Sequence, residues 1–147
     1  MKISKIKDVK TPTRGAANDA GIDFFVPNDF ETTTVNPQGQ VRIGSGVRAE
    51  VPQGYALIAF NKSGVAISGL DIGACVIDEG YQGEINLHLF NPTDKPVTIQ
   101  PGQKLAQFIL IPMFYDTIEE VDDADLHTME TERGAGAFGS TGNGLNN

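Results

Sequence analysis

Several short stretches of the chain alternate apolar and polar residues, the period of a half-buried strand. Val41 and Ile43, followed after Gly44 and Ser45 by Val47, mark one; Tyr55, Leu57 and Ala59, running into Phe60, mark a second. Ile85, Leu87 and Leu89 share one face of a third, with Asn86 and His88 on the other. Val97 and Ile99 predict a short strand closed by a turn at Pro101-Gly102. From Leu105 to Ile111 the chain is almost continuously apolar, which predicts a strand covered on both faces. Pro112, lacking an N–H, ends ordinary ladder pairing there. Helix is expected only as single turns, at 63–67 and within 121–129.

Composition sharpens this to an all-β fold. The 147 residues suit one domain with a modest core. Gly at 17, Pro at 8 and the absence of Trp fit many turns and short elements better than a helical bundle. No apolar run approaches the length of about 18 residues that spans a bilayer, and MKISKIKDVK lacks the apolar centre of a secretory signal. A cytoplasmic protein without a membrane partner is therefore expected. The single Cys75 excludes an internal disulfide and a cysteine-based zinc site, and is compatible with a reducing compartment.

The net charge of −8 is unevenly placed. Residues 1–118 hold 12 acids against 10 bases, whereas residues 119–147 hold 7 acids against one base. With no extended basic face, binding to long nucleic acid is not expected. The organisation expected is a β domain over 1–118, an acidic connector over 119–132 and a Gly-rich arm over 133–147. The arm RGAGAFGSTGNGLNN contains five Gly and little to bury, so it cannot fold alone. Its Arg and Phe are odd in a mere spacer and suggest a segment that orders on a ligand.

Five segments carry candidate chemistry. In Ala20-Gly21-Ile22-Asp23 a glycine before an aspartate permits close backbone approach to a ligand, although taken alone the segment reads more simply as a turn with a solvated Asp. Asn61-Lys62-Ser63-Gly64 offers a cation, a hydroxyl and an open N–H for phosphate oxygens, without Walker A spacing, and reads at least as well as a plain surface turn. Gly73 to Glu84, GACVIDEGYQGE, returning as Ile85 to Asn91, reads as a β-hairpin with Asp78 and Tyr81 near its bend; Asp78 is either a general base or the cap of a turn. Gly102 to Gln107 places an amide on a buried strand, where it needs a partner. In the arm, Arg133 can clamp a phosphate, Phe138 can stack on a base, and Ser140 and Thr141 add hydroxyl donors.

In this order the five segments resemble the five motifs of the trimeric dUTPase family, from PTRGAANDAGID to ERGAGAFGSTG. The resemblance implies a distorted, jelly-roll-like β-barrel in a homotrimer whose sites draw on three subunits, with dUTP as substrate and magnesium as cofactor. It implies that Asp78 activates the water that attacks the α-phosphorus and that Gln107 helps to place that water and phosphate. Asp23 would hold magnesium through water. Lys62, Ser63 and Gly64 would meet the phosphates. The backbone of Cys75, Val76 and Ile77, with Asn86, would read uracil, and Tyr81 would pack under the deoxyribose. Arg133 and Ser140 would hold the γ-phosphate, Phe138 would cover the base, and Gly139 and Thr141 complete the binding positions. The chain departs from the family at Lys62, where Arg is usual, and at Cys75 and Ala137, where Gly is usual. Lys62 loses the planar guanidinium fork, and Ala137 would be strained if that position needs positive φ. Three rival readings are a dCTP deaminase or bifunctional enzyme on the same fold, a regulatory protein on this scaffold, and a purely structural β-protein. VIDEGY and FGSTG resemble the hydrolase rather than the deaminase.

Overall fold

The computed structural model describes residues 1–74 and 76–137. The chain divides into two compact units, Met1–Phe114 and Tyr115–Asn147.

Alternation in the first unit resolves into antiparallel strands: β1 (Lys2–Lys5), β2 (Ile22–Phe25), β3 (Thr33–Val35), β4 (Gln40–Gly44), β5 (Val47–Glu50), β6 (Tyr55–Asn61), β7 (Asp71–Ile72), β8 (Val76–Ile77), β9 (Asn86–Phe90), β10 (Val97–Ile99) and β11 (Lys104–Pro112). A single short helix, α1 (Ser63–Ile67), follows β6 at the expected turn. The strands form four small sheets, β1-β5, β10-β3, β2-β11-β6-β8 and β4-β9-β7, a distorted jelly-roll-like barrel. The alternating apolar positions Ile43, Val47, Leu57, Ile85, Leu87, Leu89 and Ile99 turn inward and are buried. Phe24 and Phe108 meet at the centre with ring centroids 4.5 Å apart. No helix among the described residues is long and apolar enough to cross a membrane.

Two expectations are corrected. The run 105–111 lies in a central strand, β11, flanked by β2 and β6, but within one chain it is not covered along its whole length. Leu105, Ala106 and Phe108 are buried, whereas Gln107, Ile109, Leu110 and Ile111 are half-buried. Continuous apolarity here reflects an inner core face and an outer apolar face that the single chain leaves open. The second correction concerns residues 73–91. β8 and β9 do not pair with each other. The true hairpin is β7 on β9, with Asp71 opposite Phe90 and Ile72 opposite Leu89. Beyond it the arms part: β8 joins β6 while β9 stays on β4. That parting leaves a cleft with Asp78 on its wall.

In the second unit the described residues 115–137 hold one turn of 3-10 helix, Asp123–Asp125, within the stretch where a helical turn was expected. Nearly every residue is exposed, as an acidic stretch with few apolar groups dictates. Arg133 Nε donates to the Gly136 carbonyl at 3.1 Å, and Gly134 N–H donates to the Thr131 hydroxyl at 3.1 Å.

Candidate active site

The parted arms enclose a cleft of about 680 Å³ lined by Val76, Ile77, Asp78, Tyr81, Glu84, Asn86 and His88, with Gln40 and Arg42 of β4 beside them. Two carboxylates reach it, and their surroundings differ. Glu84 Oε1 accepts from the Gly46 N–H at 2.8 Å and pairs with Lys7 Nζ at 2.9 Å. Burial alone would raise the Glu84 carboxyl, but Lys7 and the Gly46 N–H outweigh it and hold the group below its ordinary value. Asp78 is exposed, and no donor among the described residues bonds its carboxylate; only its backbone carbonyl is used, by the Tyr81 N–H at 3.1 Å. Among the described residues no side-chain cap forms at this turn, and both Asp78 oxygens are without a bonded donor.

Tyr81 is held over the bend. Its hydroxyl donates to the Glu84 carbonyl at 3.0 Å. Its ring lies on Gly83, where a Cβ would stand 2.3 Å from the hydroxyl oxygen. Asn86 Nδ2 donates to the same Glu84 carbonyl at 2.9 Å. The Glu84 carbonyl thus ties Tyr81 and Asn86 together at the bend.

A second, smaller cavity of about 320 Å³ is lined by Lys62, Ser63, Gly64, Val65, Lys104 and Gln107. Behind it lies Asp23, whose side chain is only 8% exposed. Lys62 bonds one carboxylate oxygen, and Lys104 Nζ bonds the other at 3.1 Å. Gln107 sits opposite Asp23 on β2 and opposite Phe60 on β6. Its Nε2 donates to the Asn61 carbonyl at 2.8 Å, leaving a second N–H. Gly21 makes room for it, because a Cβ there would lie 2.1 Å from Gln107 Oε1. Gly64 stands in open space at the start of α1.

Burial alone would raise the Asp23 carboxyl, yet the two ammonium partners prevail and hold it below its ordinary value of 3.8. A depressed folded-state value means that the pair stabilises the fold above the unfolded value and loses that contribution as pH falls through the folded one. Asp23→Asn is therefore expected to cost about 1–3 kcal/mol at pH 7, because two lysines lose their counter-charge. Below about pH 4 the gap to the parent chain should narrow. Urea midpoints at pH 7, 5, 4 and 3 check this; a gap that stays constant with pH would contradict it.

The structure thus gathers the sequence-derived positions into two groups that line different cavities: Val76, Ile77, Asp78, Tyr81 and Asn86 in one, Lys62, Ser63, Gly64 and Gln107, with Asp23 behind them, in the other. Arg133 lies in the second unit. Cys75, Phe138, Gly139, Ser140 and Thr141 lie outside the described residues.

The dUTPase family model matches residues 7–142. The chain belongs to the dUTPase family. It is 38% identical to the deoxyuridine 5'-triphosphate nucleotidohydrolase of Mus musculus, over 89% of this chain and 77% of that protein. To the mitochondrial enzyme of the same name from Homo sapiens it is 37% identical, covering 97% of this chain and about half, 54%, of the human sequence. Among solved structures it resembles a mutant dUTPase of Staphylococcus bacteriophage 80alpha with dUpNHpp, at a TM-score of 0.83 and 25% identity, covering 96% of this chain and 97% of that one.

Sequence reasoning did not single out Lys104, Glu84, Gln40, Arg42 and His88, which the structure places on the walls of the two cavities. The segment containing Lys104 was read through Gln107 alone, yet Lys104 is the second cation on Asp23. His88 carried a signal: strict alternation puts it on the same face as Asn86, and that face proves to line the cleft. Gln40 and Arg42 come from β4, far away in sequence, and only the β4-β9 ladder brings them in.

Proposed function

We propose that this dUTPase-family chain hydrolyses dUTP to dUMP and pyrophosphate, with Asp78 as the base that activates water. The observation that carries the mechanism is the contrast between the two carboxylates of the cleft. Glu84 is committed to Lys7 and Gly46, whereas Asp78 presents free oxygens beside a cavity of nucleotide size. In the reaction Asp78 takes a proton from a water molecule, the water oxygen bonds to the α-phosphorus, and the bond from that phosphorus to the bridging oxygen breaks to release pyrophosphate. The backbone at 75–77 and Asn86 read the uracil edge, and Tyr81 supports the deoxyribose. Lys62, Ser63 and Gly64 donate to phosphate oxygens. Gln107 uses the N–H that Asn61 leaves free to orient the α-phosphate. Arg133, Ser140 and Phe138, with Gly139 and Thr141, close the site from the arm. Catalysis is then positioning plus neutralisation of charge in a closed site.

The described residues hold no group of three or more His, Cys, Asp or Glu placed to bind a metal ion. Asp23, the carboxylate behind the phosphate-side cavity, would hold a hydrated magnesium ion through its water shell, and the ion would supply charge neutralisation at the phosphates.

The homotrimer has two supports within one chain. The base-side and phosphate-side groups line different cavities, as parts of a site completed between copies would. The outer face of the β6-β11 ladder is also apolar and open: Ile58 faces Ile109, with Phe60 at 40% and Val76 at 56% exposure on the same face. A second copy of this chain fits that face. A cytoplasmic location agrees with a lone cysteine.

Pyrophosphate release from dUTP, dTTP, UTP and dCTP, with and without magnesium, tests the activity. Release from dUTP alone, stimulated by magnesium, is expected; ammonia from dCTP would instead favour the deaminase. Gly21→Ala should displace the end of Gln107 without unfolding the barrel. Turnover is expected to fall about tenfold with the thermal midpoint nearly unchanged, and unaltered turnover would separate Gln107 from catalysis.

A further inference from the structure

At the point where the arms of the β7-β9 hairpin part, the imidazole of His88 fills the fork. Its Nδ1 accepts from the Ala74 N–H at 2.9 Å, and its Nε2 lies 2.9 Å from Oε1 of Gln40 on β4. A backbone N–H can only donate, so Nδ1 is the bare nitrogen and the ring proton sits on Nε2, donated to the Gln40 oxygen. The ring is thereby oriented from both sides. Gly73 makes this approach possible: a Cβ there would stand 2.2 Å from Nδ1 and 2.5 Å from Cε1. The Gly73 N–H also donates to the His88 carbonyl at 2.9 Å, so backbone and ring hold the same point from two directions. Immediately beyond it the chain leaves β9, and at Val76 it enters the ladder with Ile58. The same ring lines the cleft that holds Asp78, with Arg42 and Glu84 on its walls.

We infer that His88 is a positioning residue for base recognition. By pinning the Ala74 N–H it fixes where the β8 arm departs, and with it the backbone of Val76 and Ile77 that meets the pyrimidine edge. This rests on the function proposed above, in which that backbone reads uracil. His88 touches no reacting atom; it acts through Ala74. A packing role would need only the volume of the ring, whereas a positioning role needs the acceptor at Nδ1. Two substitutions separate them. His88→Leu keeps bulk and removes the acceptor. His88→Asn gives up volume but places an amide oxygen where Nδ1 stood.

The test combines steady-state kinetics on dUTP with hydrogen exchange at the Ala74 amide, both on the full chain. In His88→Leu, KM is expected to rise about tenfold and kcat to stay within about twofold, since a contact made equally to bound substrate and transition state is lost. Exchange at Ala74 should quicken about tenfold in the same variant. His88→Asn should restore both to within about threefold of the parent chain. Equal defects in the two variants, or a fall in kcat at unchanged KM, would overturn the inference. If His88→Leu does not fold, Gln40→Leu releases the ring from the other side and should raise KM and Ala74 exchange in the same direction, about threefold; no change there overturns the inference too. Should the parent chain not hydrolyse dUTP, the proposed function falls, while exchange still decides the role of His88: slow exchange in the parent and His88→Asn with fast exchange in His88→Leu supports the pinning, and equal rates refute it.

Discussion

Asp78→Asn is expected to lower turnover of dUTP by about 10²–10⁴-fold, the range a positioned general base contributes, while leaving nucleotide affinity nearly unchanged. The substitution keeps the shape of the side chain and removes its ability to take a proton. Glu84, the other carboxylate of the cleft, is bonded to the Gly46 N–H and paired with Lys7. Single-turnover kinetics and calorimetric binding of dUpNHpp separate the two effects. Weak binding with normal chemistry would mean that Asp78 shapes the cleft instead of serving the reaction, and full activity would remove it from the mechanism altogether.

Truncation before Arg133 comes second in size. The removed stretch holds five Gly around an Arg, a Phe and two hydroxyls, residues suited to close over a bound triphosphate and base. Without it the nucleotide stays open to water, and electrostatic interactions with the phosphates weaken. Turnover is expected to fall at least about 100-fold. The oligomer should persist, because the open apolar face of the β6-β11 ladder lies in the first unit. Sedimentation of the truncated chain measures this. Dissociation into monomers would make the arm part of the assembly rather than a cover for the site.

Much of the fold was legible because period-two patterning is a local property. Val41, Leu57, Leu87 and Ile99 each announced an inward strand face and each lies in one. Register between distant strands is not local. The hairpin at 73–91 was assigned the wrong partner strands because nothing in GACVIDEGYQGE shows that β8 will leave β9 for β6. For the same reason Gln40 and Arg42 were invisible as cleft residues. The apolar run of β11 was legible as a strand but not as one with an open outer face. Apolarity records burial in whatever assembly the protein adopts, and a single chain supplies only part of that burial.

The candidate site was legible as five segments, each weak alone. Gly21 and Gln107 were noted separately, and the structure shows why they belong together: the amide occupies the space that a side chain at residue 21 would take. The two lysine partners of Asp23 come from β11 and from the residue just before α1, positions that sequence distance hides.

Hydrolysis of dUTP in ¹⁸O-enriched water, followed by mass spectrometry of both products, tests the central claim most directly. Attack of activated water at the α-phosphorus predicts one labelled oxygen in dUMP and none in pyrophosphate. Label in pyrophosphate, with unlabelled dUMP, would place the attack on the β-phosphorus and contradict the assigned geometry.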